Sequence, residues 1–146
     1  MRAFLPTVFL LISLSSTASA GPREEALQLV EKWTNAFTNS DVDGIVKLHA
    51  ADAVMIGTGS KALITSPEGV RKYFEGVFRN NRFTPTLGEH SVLQISDTTV
   101  VVTGFDTIVG VMAEKPVSLA GRDTFVIAKR GPDWQIVHFH RSATPN

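Results

Sequence analysis

The chain has no cysteine. That excludes disulfides, thiolate metal ligation and a cysteine nucleophile. It has no charge of one sign to spare either, with 14 lysines and arginines against 14 aspartates and glutamates. The basic residues are scattered, so a nucleic-acid surface or a polybasic membrane patch is not expected. Long apolar runs are missing as well. The one run present, residues 4–14, is shorter than the roughly 18–20 residues that span a bilayer. No G-x-S-x-G, S-x-x-K or H-E-x-x-H motif occurs, and no carboxylates are paired at a suggestive spacing. Gly57-Thr58-Gly59-Ser60 is rich in glycine but is neither a P-loop nor a dinucleotide fingerprint, and reads as a loop. None of these patterns calls for a cofactor or a metal.

What is present begins with an export signal. Arg2 supplies the positive charge, residues 4–14 the apolar stretch, and Thr17-Ala18-Ser19-Ala20 the small-x-small end that a signal peptidase accepts. Residues 1–20 are therefore expected to be a cleaved signal peptide and residues 21–146 a single domain, periplasmic or secreted, with no membrane attachment after cleavage.

That domain reads as helices followed by strands. Ala26, Leu29, Val30, Trp33, Ala36 and Phe37 recur at helical spacing, with Pro22 suited to the first turn and Asn39-Ser40 as the stop. Ser40 or Asp41 caps a short second helix carrying Val42, Ile45, Val46 and Leu48. Residues 52–56 read as a short strand. Ser66-Pro67-Glu68 starts a third helix, whose apolar stripe is Val70, Tyr73, Phe74, Val77 and Phe78. Beyond residue 81 the period changes. Residues 86–96, 99–112, 117–129 and 134–142 are β-branched or alternating runs separated by turn residues. The expected fold is α+β: a strongly bent antiparallel sheet packed on three N-terminal helices.

The densest polar cluster is Val137-His138-Phe139-His140-Arg141-Ser142. Strand alternation sends His138 and His140 to one face, and Val137, Phe139 and Arg141 to the other. Two histidines at i and i+2 can chelate a metal, with His90, Asp123 or Asp52 as a third ligand from a neighbouring element, but half-buried sheet histidines explain the pair better, since no metal signature accompanies it. Arg141, if it faces inward, ends an apolar cavity lined by Val137 and Phe139. A buried arginine requires either a protein carboxylate or an anionic ligand. The candidate protein carboxylate is Asp123. An even-length turn at Gly131-Pro132 brings Arg122 to the face of Arg141; an odd turn with a bulge brings Asp123 and Phe125 there instead. The bulged form balances the charge. Trp33 serves as cavity wall or as core, and Tyr73, the only tyrosine, needs a partner for its hydroxyl if buried.

The run Trp134-Gln135-Ile136-Val137-His138-Phe139-His140-Arg141-Ser142, with Ala143 and Pro145 after it, closely resembles the end of the association (hub) domain of calcium/calmodulin-dependent protein kinase II. Arg71-Lys72-Tyr73-Phe74-Glu75 looks like the third helix of that hub. The layout is also similar to bacterial SgcJ/EcaC-type and SnoaL-like proteins of the nuclear transport factor 2-like superfamily. The resemblance implies a cone-shaped fold with an internal pocket, and a homodimer or higher homo-oligomer. It gives Arg141 the role of a pocket arginine that meets carboxylate-bearing ligands. A second pocket arginine of the hub falls on Phe125, so this chain lacks it, and the same matching puts Asp123 on the face of Arg141. The chain contains no kinase domain.

Two functions are consistent with these residues. One is an exported, self-associating domain binding a small carboxylate-bearing or apolar ligand among Trp33, Tyr73, Asp123, Phe125, Phe139 and Arg141. The other is a SnoaL-like or ketosteroid-isomerase-like enzyme using an acid or base in the pocket.

Overall fold

The computed structural model describes residues 20–145. The expected export signal lies outside the described residues, apart from Ala20 at its end. Helix α1 (Pro22–Thr38) has Pro22 in its first turn and buries Ala26, Leu29, Val30, Trp33 and Phe37. Asp41, not Ser40, caps α2 (Val42–Leu48), its carboxylate accepting from the Gly44 amide at 2.8 Å. Ser66 caps α3 (Pro67–Phe78), with Pro67 at its start and Val70, Phe74 and Phe78 buried. These are the helices that the apolar spacing and the caps predict. None of the helices among the described residues is long and apolar enough to cross a membrane.

Between α2 and α3 lies β1 (His49–Ile56); after α3 come β2 (Asn81–Ser96), β3 (Thr99–Met112), β4 (Lys115–Arg130) and β5 (Asp133–Ala143). The sheet runs β1-β5-β4-β3-β2, curved and unclosed. Strands β2 to β5 form an antiparallel meander, whereas β1 pairs parallel to β5. The sheet is therefore mixed, because the short strand predicted at 52–56 is longer and joins the far edge. Strand β2 starts five residues earlier than its alternation suggested. Pro85 masks that start, yet Pro85 is tolerated because β2 is an edge strand.

The register of β4 and β5 differs from both forms considered. The turn is even, Arg130 facing Asp133 across Gly131-Pro132, and the bulge lies later, at Val137. Ile127 pairs with Ile136, then Val126 with His138. One extra residue changes the phase. Ile136, Phe139 and Arg141 thus all point inward, while Val137 is left only half-buried, not in the cavity wall as expected. Asp123 faces Arg141 and Phe125 faces Phe139. Arg122 goes to the outside and reaches the Ala143 carbonyl at 3.2 Å.

The core is aromatic. Trp33 packs on Phe37, Phe74, Phe125 and Phe139, with ring centroids 5.0–6.1 Å apart. Rings at such angles and distances add to simple area burial.

Candidate functional site

A cavity of about 430 Å³ opens between α1, α3 and the inner face of the sheet. Trp33 and Phe37 come from α1, Tyr73, Phe74 and Val77 from α3, Ile108 and Met112 from β3, and Leu119 and Phe139 from the last two strands. Its polar side chains are few: Thr58, Tyr73, Asn81 and Arg141, besides the indole N–H of Trp33, which is buried with no partner among the described residues. Trp33 is both core and wall, since it is 4 % exposed yet borders the cavity.

Arg141 sits at the polar corner, 7 % exposed. Its partner is Asp106, not Asp123. The guanidinium donates from Nε to Asp106 Oδ2 at 2.6 Å and from Nη2 to Asp106 Oδ1 at 2.8 Å. Further bonds run from Nη2 to the Leu119 carbonyl at 3.0 Å and from Nη1 to Thr58 Oγ1 at 2.8 Å. The side-chain geometry explains the choice of Asp106. Asp123 stands directly across the ladder from Arg141, but its carboxylate is taken by His90, with 3.2 Å between His90 Nε2 and Asp123 Oδ1. Asp106 lies diagonally, opposite Gly121. The bidentate pair passes over that glycine, where a Cβ would collide with both groups. A buried, bidentate arginine–carboxylate pair is strong only when its other hydrogen bonds are largely met; here the Leu119 carbonyl and Thr58 take two of the three remaining N–H groups.

The loop after β1 completes the corner. Gly57 and Ser60 close a tight turn, Ser60 amide to Gly57 carbonyl and Gly57 amide to Ser60 Oγ, both at 2.9 Å. The Tyr73 ring lies so near Gly57 that no side chain fits there. Thr58 accepts from Arg141 and donates back to the Arg141 carbonyl at 3.3 Å. A stretch that reads as plain loop is in fact the clamp on the arginine, and glycine at 57 is its one visible trace. Asp106 had a clearer signal. It is the only charged residue in β3, and a single charge inside an apolar strand needs a buried partner.

Of the six residues singled out, Trp33, Tyr73, Phe139 and Arg141 line the cavity. Phe125 lies beneath it, fully buried against Trp33 and Phe139. Asp123 is buried on the same face but outside the lining. Burial raises the Asp123 pKa and nearby Asp106 adds to this, while His90 and Arg141 oppose it. Burial also raises the Tyr73 pKa, against the Gly59 backbone and the Arg141 charge, so the phenol stays protonated. His138 and His140 point away from the cavity, the second of them exposed. Among the described residues, no group of three or more histidine, aspartate or glutamate side chains comes together that could hold a metal.

One buried histidine has no signal in the sequence pattern. His49, at the junction of α2 and β1, has Nδ1 2.9 Å from the Ile45 carbonyl. A carbonyl only accepts, so Nδ1 carries the proton and Nε2 a lone pair, which is buried with no partner.

Comparison with known proteins agrees with this architecture. The family model for the SnoaL-like domain matches residues 26–146. Among solved structures, a candidate calcium/calmodulin-dependent protein kinase II association domain from Xanthomonas campestris superposes with a TM-score of 0.78 at 26% identity, over 92% of this chain and 99% of that one. A ketosteroid isomerase-like protein from Erwinia carotovora atroseptica gives 0.73 at 17% identity, over 86% and 99%. A candidate dehydratase of the NTF2-like family from Streptomyces avermitilis gives 0.75 at 14% identity, over 84% and 97%. The last two are likenesses of fold alone.

Proposed function

The chain belongs to the SnoaL-like domain family, and on that premise we propose that it is a small-molecule binding domain, holding one small, uncharged and mostly apolar ligand in its cavity. The observation that carries this reading is the Arg141–Asp106 pair. An arginine free of a protein carboxylate would invite an anion; this one has its charge cancelled at the cavity wall. The carboxylate-bearing ligand that the hub resemblance implies is thereby disfavoured. The volume of about 430 Å³ lies within the usual range for ligand pockets, and the lining is mostly apolar, with a few convergent polar groups.

The enzymatic alternative needs a base within hydrogen-bond reach of a bound substrate. The cavity lining contains no carboxylate and no imidazole. Its ionisable groups, Tyr73 and Arg141, are both hydrogen-bond donors at neutral pH. Binding therefore fits these side chains better than proton abstraction.

Export and self-association complete the proposal. The signal at residues 1–20 supports export. The outer face of β3 supports a homodimer or larger homo-oligomer, since Phe105, Val109 and Val111 project there in a row and stay exposed. Native mass spectrometry of protein purified from the periplasm or medium tests all three parts. The expected result is a chain starting at Gly21, as an oligomer, carrying a small adduct that leaves on gentle activation. A full-length monomer with no affinity for any apolar compound would contradict it.

A further inference from the structure

Resting on the cavity being a ligand site, we propose that its ligand is an uncharged carbonyl compound, whose oxygen is held by a free Nη1 hydrogen of Arg141 and by the Tyr73 hydroxyl. A guanidinium has five N–H groups. Four are used: Nε on Asp106 Oδ2, Nη2 on Asp106 Oδ1 and on the Leu119 carbonyl, and Nη1 on Thr58 Oγ1. One Nη1 hydrogen has no protein acceptor among the described residues. Thr58 cannot serve a ligand in its place, because its own hydrogen goes to the Arg141 carbonyl.

Tyr73 reaches the same corner from α3, its ring against Gly57, one residue before Thr58. Its O–H donates to no protein group among the described residues. Asn81 bonds at both ends, Nδ2 donating to the Val77 carbonyl at 2.7 Å and Oδ1 accepting from the Ala113 amide, while the Trp33 indole Nε1, elsewhere in the lining, is a further donor, buried with no partner among the described residues. Beside Asp106, the corner formed by Arg141, Thr58 and Tyr73 thus offers two free donors and no uncompensated charge.

Three ligand chemistries can be weighed against that corner. A hydrocarbon leaves both donors desolvated and unpaired, which is costly. A carboxylate satisfies them but places a second anion beside Asp106, around one buried cation. A carbonyl oxygen accepts two hydrogen bonds through its two lone pairs and adds no charge. The walls formed by Trp33, Phe139 and Ile108 suit an aromatic or alicyclic body behind that oxygen.

The test is isothermal titration of the protein with acetophenone, ethylbenzene and benzoate, which share a ring and differ in the polar group. Acetophenone is expected to bind about tenfold tighter than ethylbenzene, the yield of two modest hydrogen bonds, with benzoate weakest. Tyr73→Phe is expected to weaken acetophenone and leave ethylbenzene unchanged. Asp106→Asn uncovers the arginine charge and is expected to make benzoate the preferred ligand. Should Asp106→Asn not fold, the Tyr73→Phe comparison stands by itself, joined by a downfield shift of the carbonyl signal of carbon-13 acetophenone on binding. Equal affinity for acetophenone and ethylbenzene, or benzoate binding tightest to the unmodified protein, would overturn the carbonyl assignment and leave the ligand site intact. Failure of all three to bind would overturn both.

Discussion

Gly121 is where the ion pair of the cavity wall meets the backbone. A Cβ there would touch the Arg141 guanidinium and the Asp106 carboxylate at once. An arginine tip normally swings aside, but this one is fixed by four hydrogen bonds. Gly121→Ala is therefore expected to cost about 1–3 kcal/mol, the range for overpacking; urea unfolding measures it, and a change near zero would show that the pair is loose. Two other buried groups set the pH dependence in opposite directions. Burial lowers the His49 pKa below 6.5, against the bond to Ile45. A depressed group contributes stability above its unfolded pKa and loses it as pH falls through the folded value. Acidification below 6.5 should thus destabilise the fold, and His49→Gln should flatten that slope. Asp123 has the reverse sign. Its raised pKa means a contribution present below 3.8 and lost as pH rises through the folded value. The melting temperature of the unmodified protein minus that of Asp123→Asn should therefore fall as pH rises from 3.8; a rise would contradict the burial argument. At this scale the sequence shows which residues carry chemistry more readily than whom they meet. Arg141 was visible from alternation, whereas its partner depended on a diagonal contact across a glycine, which strand pairing alone does not reveal.

Among the elements, the turns differ in how well their residues suit them. Gly131 takes a positive φ of 64° in the β4–β5 turn, which glycine permits without strain. The β3–β4 turn places Ala113 at 49° and Glu114 at 65°, and neither residue favours that region. Replacing Ala113-Glu114 by Asn-Gly is expected to stabilise the protein by about 1–2 kcal/mol, read from thermal or urea unfolding. An unchanged midpoint would mean that the strain is relieved elsewhere. Helix positions were legible because caps and apolar spacing act within a few residues of each other. Asp41 and Ser66 cap as their local context dictates. The parallel pairing of β1 with β5 was not legible, because it joins residues far apart in the chain. The bulge at Val137 left a faint trace: Ile136 and Phe139, both bulky, are three residues apart, which no regular strand can bury on one face.

For the whole molecule, the two faces of the sheet have different tasks. The inner face carries the aromatic core, the cavity and the buried charges; the outer face of β3 leaves Phe105 half exposed, at 52 %. If that face is covered by a second copy, Phe105→Glu is expected to shift sedimentation to the monomer without changing the melting behaviour of the isolated fold. Sedimentation unchanged by the substitution would place the interface elsewhere. The overall α+β layout was readable from the order of elements, and the family likeness from the last strand. The charge state of the cavity was not, and it is what separates a site for neutral ligands from a site for anions. The most direct measurement is a crystal structure of the protein grown with acetophenone. Ligand density is expected between Trp33 and Arg141, its oxygen toward Tyr73, with the guanidinium still on Asp106. A cavity empty of ligand density, or Arg141 turned away from Asp106 onto an anion, would contradict it.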